Sequence, residues 1–192
     1  MKKLLFILVL ALLSTTGTQA QQIKKGQKAE AATSVPVVNG KVTFETDIQA
    51  KGLTAAQIEE KANEWVAKRF VKPTVIAAKR YDSEKPNTII IKSEEYITFK
   101  STAFVLSRAR MYYFLTLTAQ DGSCNFHLSR INYWYDDEDE KGGIKMIAEE
   151  WITDDNAFGK NGKLKKFEGK FRNKTIELKE QLVDELTKAL NE

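Results

Sequence analysis

From residue 74 to residue 135, apolar and polar side chains alternate in long runs broken by turn residues, the period of strands buried on one face. Residues 74–81, 88–100, 102–119 and 123–135 are predicted as four consecutive strands. Asp82-Ser83-Glu84-Lys85-Pro86-Asn87 supplies the first turn, and Asp121-Gly122 the last. An Asp-Gly pair between apolar runs favours a type I′ turn, because both central residues need positive φ. The polar middle of the second strand, residues 92–95, marks a place for a bulge or bend. An earlier strand is predicted over residues 35–46, with Val42 and Phe44 facing one way and Lys41, Thr43 and Glu45 the other.

Two stretches switch to the helical period. Thr54-Ala55-Ala56-Gln57 fits a capping box, and Leu53 and Ile58 occupy the positions of a hydrophobic staple. Ile58, Ala62, Trp65, Val66 and Phe70 then form one apolar stripe, which ends before Lys72-Pro73 because proline disfavours helical geometry at the residue before it. The second helix is predicted over residues 173–190, with Leu178, Leu182, Leu186, Ala189 and Leu190 on one stripe. Between them, residues 144–148 read as an edge strand and Thr153-Asp154-Asp155-Asn156 as the cap of a short helical turn ending near Phe158-Gly159. The order is strand, helix, four strands, helix. That is an α+β domain over residues 35–192, an antiparallel meander with both helices on one sheet face.

The first twenty residues follow a different logic. Lys2 and Lys3 precede an unbroken apolar run over residues 4–13, and a small, polar segment ends in Thr18-Gln19-Ala20. This is the anatomy of a secretory signal peptide, and the run is too short to span a bilayer. No cysteine follows the cleavage region to carry a lipid anchor. The expected mature chain starts near Gln21, is periplasmic or secreted, and has no membrane anchor. Residues 21–34 have almost no apolar residues after Ile23 and read as a disordered leader.

Charge changes the picture less than it first suggests. The whole chain carries +4. Without Lys2 and Lys3, 30 basic residues become 28 against 26 acidic, a net +2. With an extracytoplasmic address, that near balance argues against nucleic acid as a partner. The local excess of Lys160, Lys163, Lys165, Lys166, Lys170, Arg172 and Lys174 reads as a solvated loop and helix start. Cys124 is the single cysteine, so no intramolecular disulfide is available and a hydrophobic core must hold the fold.

Several local strings carry a resemblance. They are Lys51-Gly52-Leu53-Thr54, Asn63-Glu64-Trp65, Asp121-Gly122, Ala148-Glu149-Glu150-Trp151-Ile152-Thr153-Asp154 and Gly169-Lys170-Phe171-Arg172-Asn173-Lys174-Thr175-Ile176. In this order, over about residues 36–190, the chain resembles the bacterial family called domain of unknown function 4468. The resemblance implies an extracytoplasmic domain with a curved, TATA-binding-protein-like sheet. It implies no activity, cofactor or catalytic residue, and the likeness to a DNA-binding fold is one of shape.

Candidate chemistry is sparse. Cys–His catalysis would need Cys124 and His127, but strand residues three apart point to opposite faces. No Gly-x-Ser-x-Gly string supports a serine nucleophile. The acidic run at residues 136–140 lacks the spacing of an EF-hand loop, so no metal or other cofactor is expected. Glu149 and Glu150 alone assign no carboxylate chemistry.

One surface stands out. Strict alternation from the Asp121-Gly122 turn places Leu117, Leu115, Ala109, Met111 and Val105 on the core face, with Phe126, Leu128 and Trp134 opposite. The other face then pairs Thr116 with His127, Phe114 with Ser129, Tyr112 with Ile131, Arg110 with Tyr133 and Arg108 with Tyr135. Arg108, Arg110, Tyr112, Tyr133 and Tyr135 are therefore the candidate ligand-binding set on a face that no helix covers. Such rings give flat apolar area and hydroxyls, and guanidinium binds carboxylate or phosphate bidentately. Arg–Tyr packing that only stabilises the sheet fits the same pattern. A bulge near Ser129-Arg130 would swap the faces beyond it. The expected function is a non-enzymatic binding or adaptor domain for an envelope protein or small ligand. The alternatives are an envelope hydrolase with unassigned carboxylates and a structural partner in an envelope assembly.

Overall fold

The computed structural model describes residues 34–136 and 139–192. The expected signal peptide, and the leader except Ser34, lie outside the described residues, as do Asp137 and Glu138 of the acidic run. The described elements are β1 (Val37–Val38), β2 (Lys41–Gln49), α1 (Ala55–Arg69), β3 (Val75–Tyr81), β4 (Thr88–Ser101) and β5 (Leu106–Gln120). They continue with β6 (Ser123–Tyr135), β7 (Ile144–Ile147), α2 (Ala148–Trp151), α3 (Asp154–Ala157) and α4 (Lys166–Asn191). The strands make one curved antiparallel sheet in the order β1-β2-β6-β5-β4-β3. Along one edge of β6, β2 pairs up to Ser129 and β7 takes over from Asn132.

Both long helices cover the same sheet face. The α1 stripe of Ile58, Ala62, Trp65 and Val66 and the α4 stripe of Leu178, Leu182, Leu186 and Leu190 share one core with Leu115, Leu117, Phe126 and Leu128. The start of α1 is fixed as its sequence dictates. Thr54 Oγ1 accepts from Gln57 N–H, and the Gln57 side chain accepts from Thr54 N–H at 2.9 Å. Both bonds satisfy backbone donors that have no partner within the helix.

Four local expectations are corrected. The first strand is a hairpin, turning at Asn39 (φ 51°) and Gly40 (φ 74°), an Asn-Gly pair suited to tight turns. The third strand of the meander starts at Leu106, so Val105 lies in the preceding turn, half exposed. The irregularity expected at residues 92–95 falls on the partner strand, between Val75 and Ala77. β4 itself keeps its alternation there, which carries Ser93 and Glu95 into the core. Finally, α4 begins at Lys166, seven residues before the predicted start.

The early start of α4 has a tertiary cause. Phe167 and Phe171 pack edge-on against Trp151 and Tyr135, and Gly169 is buried with Leu164 filling the space where a Cβ would sit. Glycine lowers helical propensity, so these contacts override the local signal. Arg172 is buried rather than solvated, 2.7 Å from Asp154, and its Nη1 donates to the Ile152 carbonyl. α2 was not foreseen, and Thr153 precedes α3 without making a side-chain cap bond.

Candidate functional site

The Asp121-Gly122 turn sets the register of β5 and β6 as far as Phe114. Leu117 opposes Phe126, Leu115 opposes Leu128, Thr116 opposes His127 and Phe114 opposes Ser129. Arg130 and Ile131 then stand against Tyr113 alone, with Arg130 in the left-handed region at φ 54°. This is a β-bulge, and one extra residue exchanges the faces of everything beyond it. Tyr112 now opposes Asn132, Met111 opposes Tyr133, Arg110 opposes Trp134 and Ala109 opposes Tyr135.

The five predicted residues are thereby divided. Arg108, Arg110 and Tyr112 lie on the uncovered face, half-buried. Tyr133 and Tyr135 point the other way, under α4. Tyr133 is 1% exposed and its hydroxyl shares a 2.6 Å hydrogen bond with Thr175. Tyr135 packs against Phe99, Phe167 and Phe171. Ile131, expected on the open face, is buried, and Trp134, expected in the core, takes a place on the open face.

What the face gathers is a different set, centred on Glu94 of β4. Arg110 Nη1 and the Tyr112 hydroxyl both donate to Glu94 Oε1, at 3.1 and 3.0 Å. Partial burial pushes the Tyr112 hydroxyl above its ordinary pKa, and the adjacent Glu94 carboxylate adds to that, so it remains a donor. The Arg110 guanidinium lies 5.1 Å from the Trp134 ring, with Lys145 Nζ at 5.0 Å and the indole N–H bonded to the Gly142 carbonyl. Arg108 stacks 3.7 Å over Tyr96. Cleft volumes of about 450 Å³ beside Trp134 and Met146 and about 230 Å³ beside Lys79 and Lys92 flank Tyr112 on its two sides. Tyr96 and Glu94 were legible as alternate positions of β4. Trp134 was hidden by the bulge.

Elsewhere, the other groups weighed for chemistry have structural places. Cys124 is on the core face and fully buried, while His127 opposes Thr116 and Glu45 on the open one. Glu149 accepts the Val42 N–H at 3.0 Å. A cleft of about 500 Å³ between α1 and α4 is lined by charges that pair with one another, Lys72 with Glu185 at 2.7 Å and Lys188 with Glu192 at 3.5 Å.

Comparison with known proteins agrees with the fold. The family described as domain of unknown function (DUF4468) with TBP-like fold matches residues 44–134. A DUF4468 family protein from Bacteroides ovatus ATCC 8483 is similar at 31% identity and a TM-score of 0.77, over 88% of this chain and 97% of its own. A TBP-like protein from Parabacteroides distasonis ATCC 8503 shares the fold at 22% identity and a TM-score of 0.64, over 81% of this chain and 96% of its own. No curated protein matches the chain.

Proposed function

Because the chain belongs to the DUF4468 family, whose description names a fold and no activity, we propose from its geometry an extracytoplasmic, non-enzymatic binding or adaptor domain that uses the uncovered sheet face. One observation carries this reading. Glu94, Arg110, Tyr112 and Trp134 form a half-exposed cluster between two shallow clefts, on a face that a purely structural sheet would leave plainly polar. Rings and a guanidinium held by neighbours are anchors that need little ordering when a partner arrives. The partner on this reading is an envelope protein or small ligand rather than nucleic acid. The address rests on residues 1–20. Among the described residues no helix is long and apolar enough to cross a membrane.

A second reading, a structural partner in an envelope assembly, draws on the outer edge of β3, whose residues are mostly exposed. Lys79 and Arg80 on that edge are the kind of charge that discourages strand addition, so the face is preferred.

The test is capture from an envelope extract on immobilised protein, with mass spectrometry of retained proteins and small molecules. A species held by the parent and lost by the Tyr112→Ala, Trp134→Ala double variant, at an unchanged thermal midpoint, is the expected result. Equal retention by both would remove the face from consideration. N-terminal sequencing of exported protein should begin near Gln21, and an intact Met1 would overturn the address.

A further inference from the structure

The uncovered face carries a second cluster, beside the first. Lys79 of β3 stands directly opposite Lys92 of β4. Like charges so placed weaken strand pairing. Along the same row Lys92 opposes Phe114, and Phe114 opposes Ser129. Arg130 holds its guanidinium 4.9 Å from the Phe114 ring centroid, and Lys79 Nζ lies 5.0 Å from the ring of Tyr81. Those two rings are themselves 5.9 Å apart. Two cations therefore sit over two neighbouring rings, and Lys92 stands between Lys79 and Phe114 in the same cross-strand row. Among the described residues no carboxylate pairs with any of the three, and Glu94, two positions from Lys92, is engaged by Arg110 and Tyr112.

The backbone adds an independent observation. Arg130 is the first residue of the bulge, at φ 54°, where glycine is unstrained and a side chain is not. The Asn132 side chain donates to the Arg130 carbonyl at 2.9 Å and braces that geometry. The chain thus keeps a long cation where glycine would be the easier residue. Strain held at a bulge that aims a charged group onto an open face points to use rather than to packing.

We propose that Lys79, Lys92 and Arg130 form a site for a sulfate or phosphate ester group. The lysines supply mobile point charges and the guanidinium a fork of donors, together a match for the charged oxygens of a tetrahedral oxyanion. Phe114 and Tyr81, tilted 39° to one another, give apolar area to whatever body carries that group. Lys92 lies on an inner strand with ladder partners on both sides, Lys79 and Phe114. Arg130 sits in the bulge of β6, between the stretches that pair with β2 and β7, so side chains present the charge at both positions. This inference rests on the reading of the open face as a binding surface, but it uses none of Glu94, Arg110, Tyr112 or Trp134.

The experiment is an NMR titration of the purified protein with inorganic pyrophosphate at low salt, repeated with dextran sulfate and with vesicles of phosphatidic acid in phosphatidylcholine. Saturable shifts should centre on the amides of Lys79, Lys92, Ser129 and Arg130. Arg130→Gly should raise the thermal midpoint while weakening pyrophosphate binding about tenfold, near the loss of one charge-assisted contact. Lys92→Gln, which removes the like-charge pair, should weaken it similarly and covers the case in which the glycine variant misfolds. Competition by dextran sulfate alone identifies a sulfated polymer as the source, by vesicles alone a lipid headgroup, and by neither a small soluble phosphate ester. Shifts scattered over the surface lysines and indifferent to both substitutions would overturn the site, while leaving capture through Tyr112 and Trp134 to stand or fall on its own result.

Discussion

Arg69 Nη2 lies 2.9 and 3.1 Å from the two carboxylate oxygens of Glu95, although both side chains are almost wholly buried. Arg69 ends α1 and Glu95 sits mid-way along β4, so the pair pins the helix to the inner face of the sheet. The Tyr113 hydroxyl also donates to Glu95, and Glu185 of α4 approaches Arg69 Nε at 3.3 Å. Burial, reinforced by the Glu95 charge, holds the Tyr113 hydroxyl well above its ordinary pKa, so it stays a donor at any working pH. Such a pair adds little net stability by itself, because desolvation offsets attraction. Its loss on one side is another matter.

Glu95→Ala leaves a buried guanidinium without its main partner, and a cost of about 3–5 kcal/mol is expected. The urea midpoint measures it. An unchanged midpoint would mean that Arg69 reaches water once its partner is gone.

Trp65→Ala should cost about 3–5 kcal/mol, as large aromatic truncations in cores do. Trp65 is 7% exposed on the α1 stripe and meets Phe70 edge-on at 5.9 Å. Chemical denaturation of the variant checks this, and a shift near zero would show that the stripe is not packed.

Residues whose local signal agrees with the tertiary structure were legible. The Thr54 cap, the α1 stripe and the pairing across Asp121-Gly122 each follow from neighbours a few positions away. Only Gly122 of that turn takes a positive φ, however, so the turn is not the expected type I′. The candidate face was half legible. Alternation placed Arg108, Arg110 and Tyr112 correctly, and the possibility of a bulge at Ser129-Arg130 could be stated in advance. Whether Arg130 adopts positive φ depends on Asn132 and on the handover from β2 to β7 along β6. No pattern within β6 announces that. Glu95 misled for the opposite reason. As part of a polar stretch it reads as a place for a bulge or bend, until Arg69 arrives from another element and lets the strand run on with Glu95 in the core.

Cys124 should behave as an inert core thiol. It is fully buried, and burial, with Asp47 adding, pushes its pKa up to about 11. Labelling by an aromatic disulfide reagent at pH 8 should be far slower in the native protein than in denaturant. Rapid native labelling would place the thiol at the surface and reopen it as a reactive group.

The last prediction concerns acid. Asp154 holds the start of the described chain to α4. Its carboxylate accepts from the Val35 N–H at 3.1 Å and from the Ser34 hydroxyl at 3.0 Å, and lies 2.7 Å from Arg172 Nη2. Partial burial by itself would raise its pKa, but these donors together hold it below the ordinary value. A pKa lowered by folding contributes stability that is complete above the unfolded value, about 3.9, and is lost as pH falls through the folded one. The side chain is half exposed, so the contribution is modest. Asp154→Asn should therefore be less stable than the parent at neutral pH, and the gap should close only below about pH 3.9. Urea midpoints of both proteins across pH 2–7 decide it. A gap that persists undiminished to the lowest pH would show that the aspartate acts through shape and neutral hydrogen bonds, not through its charge.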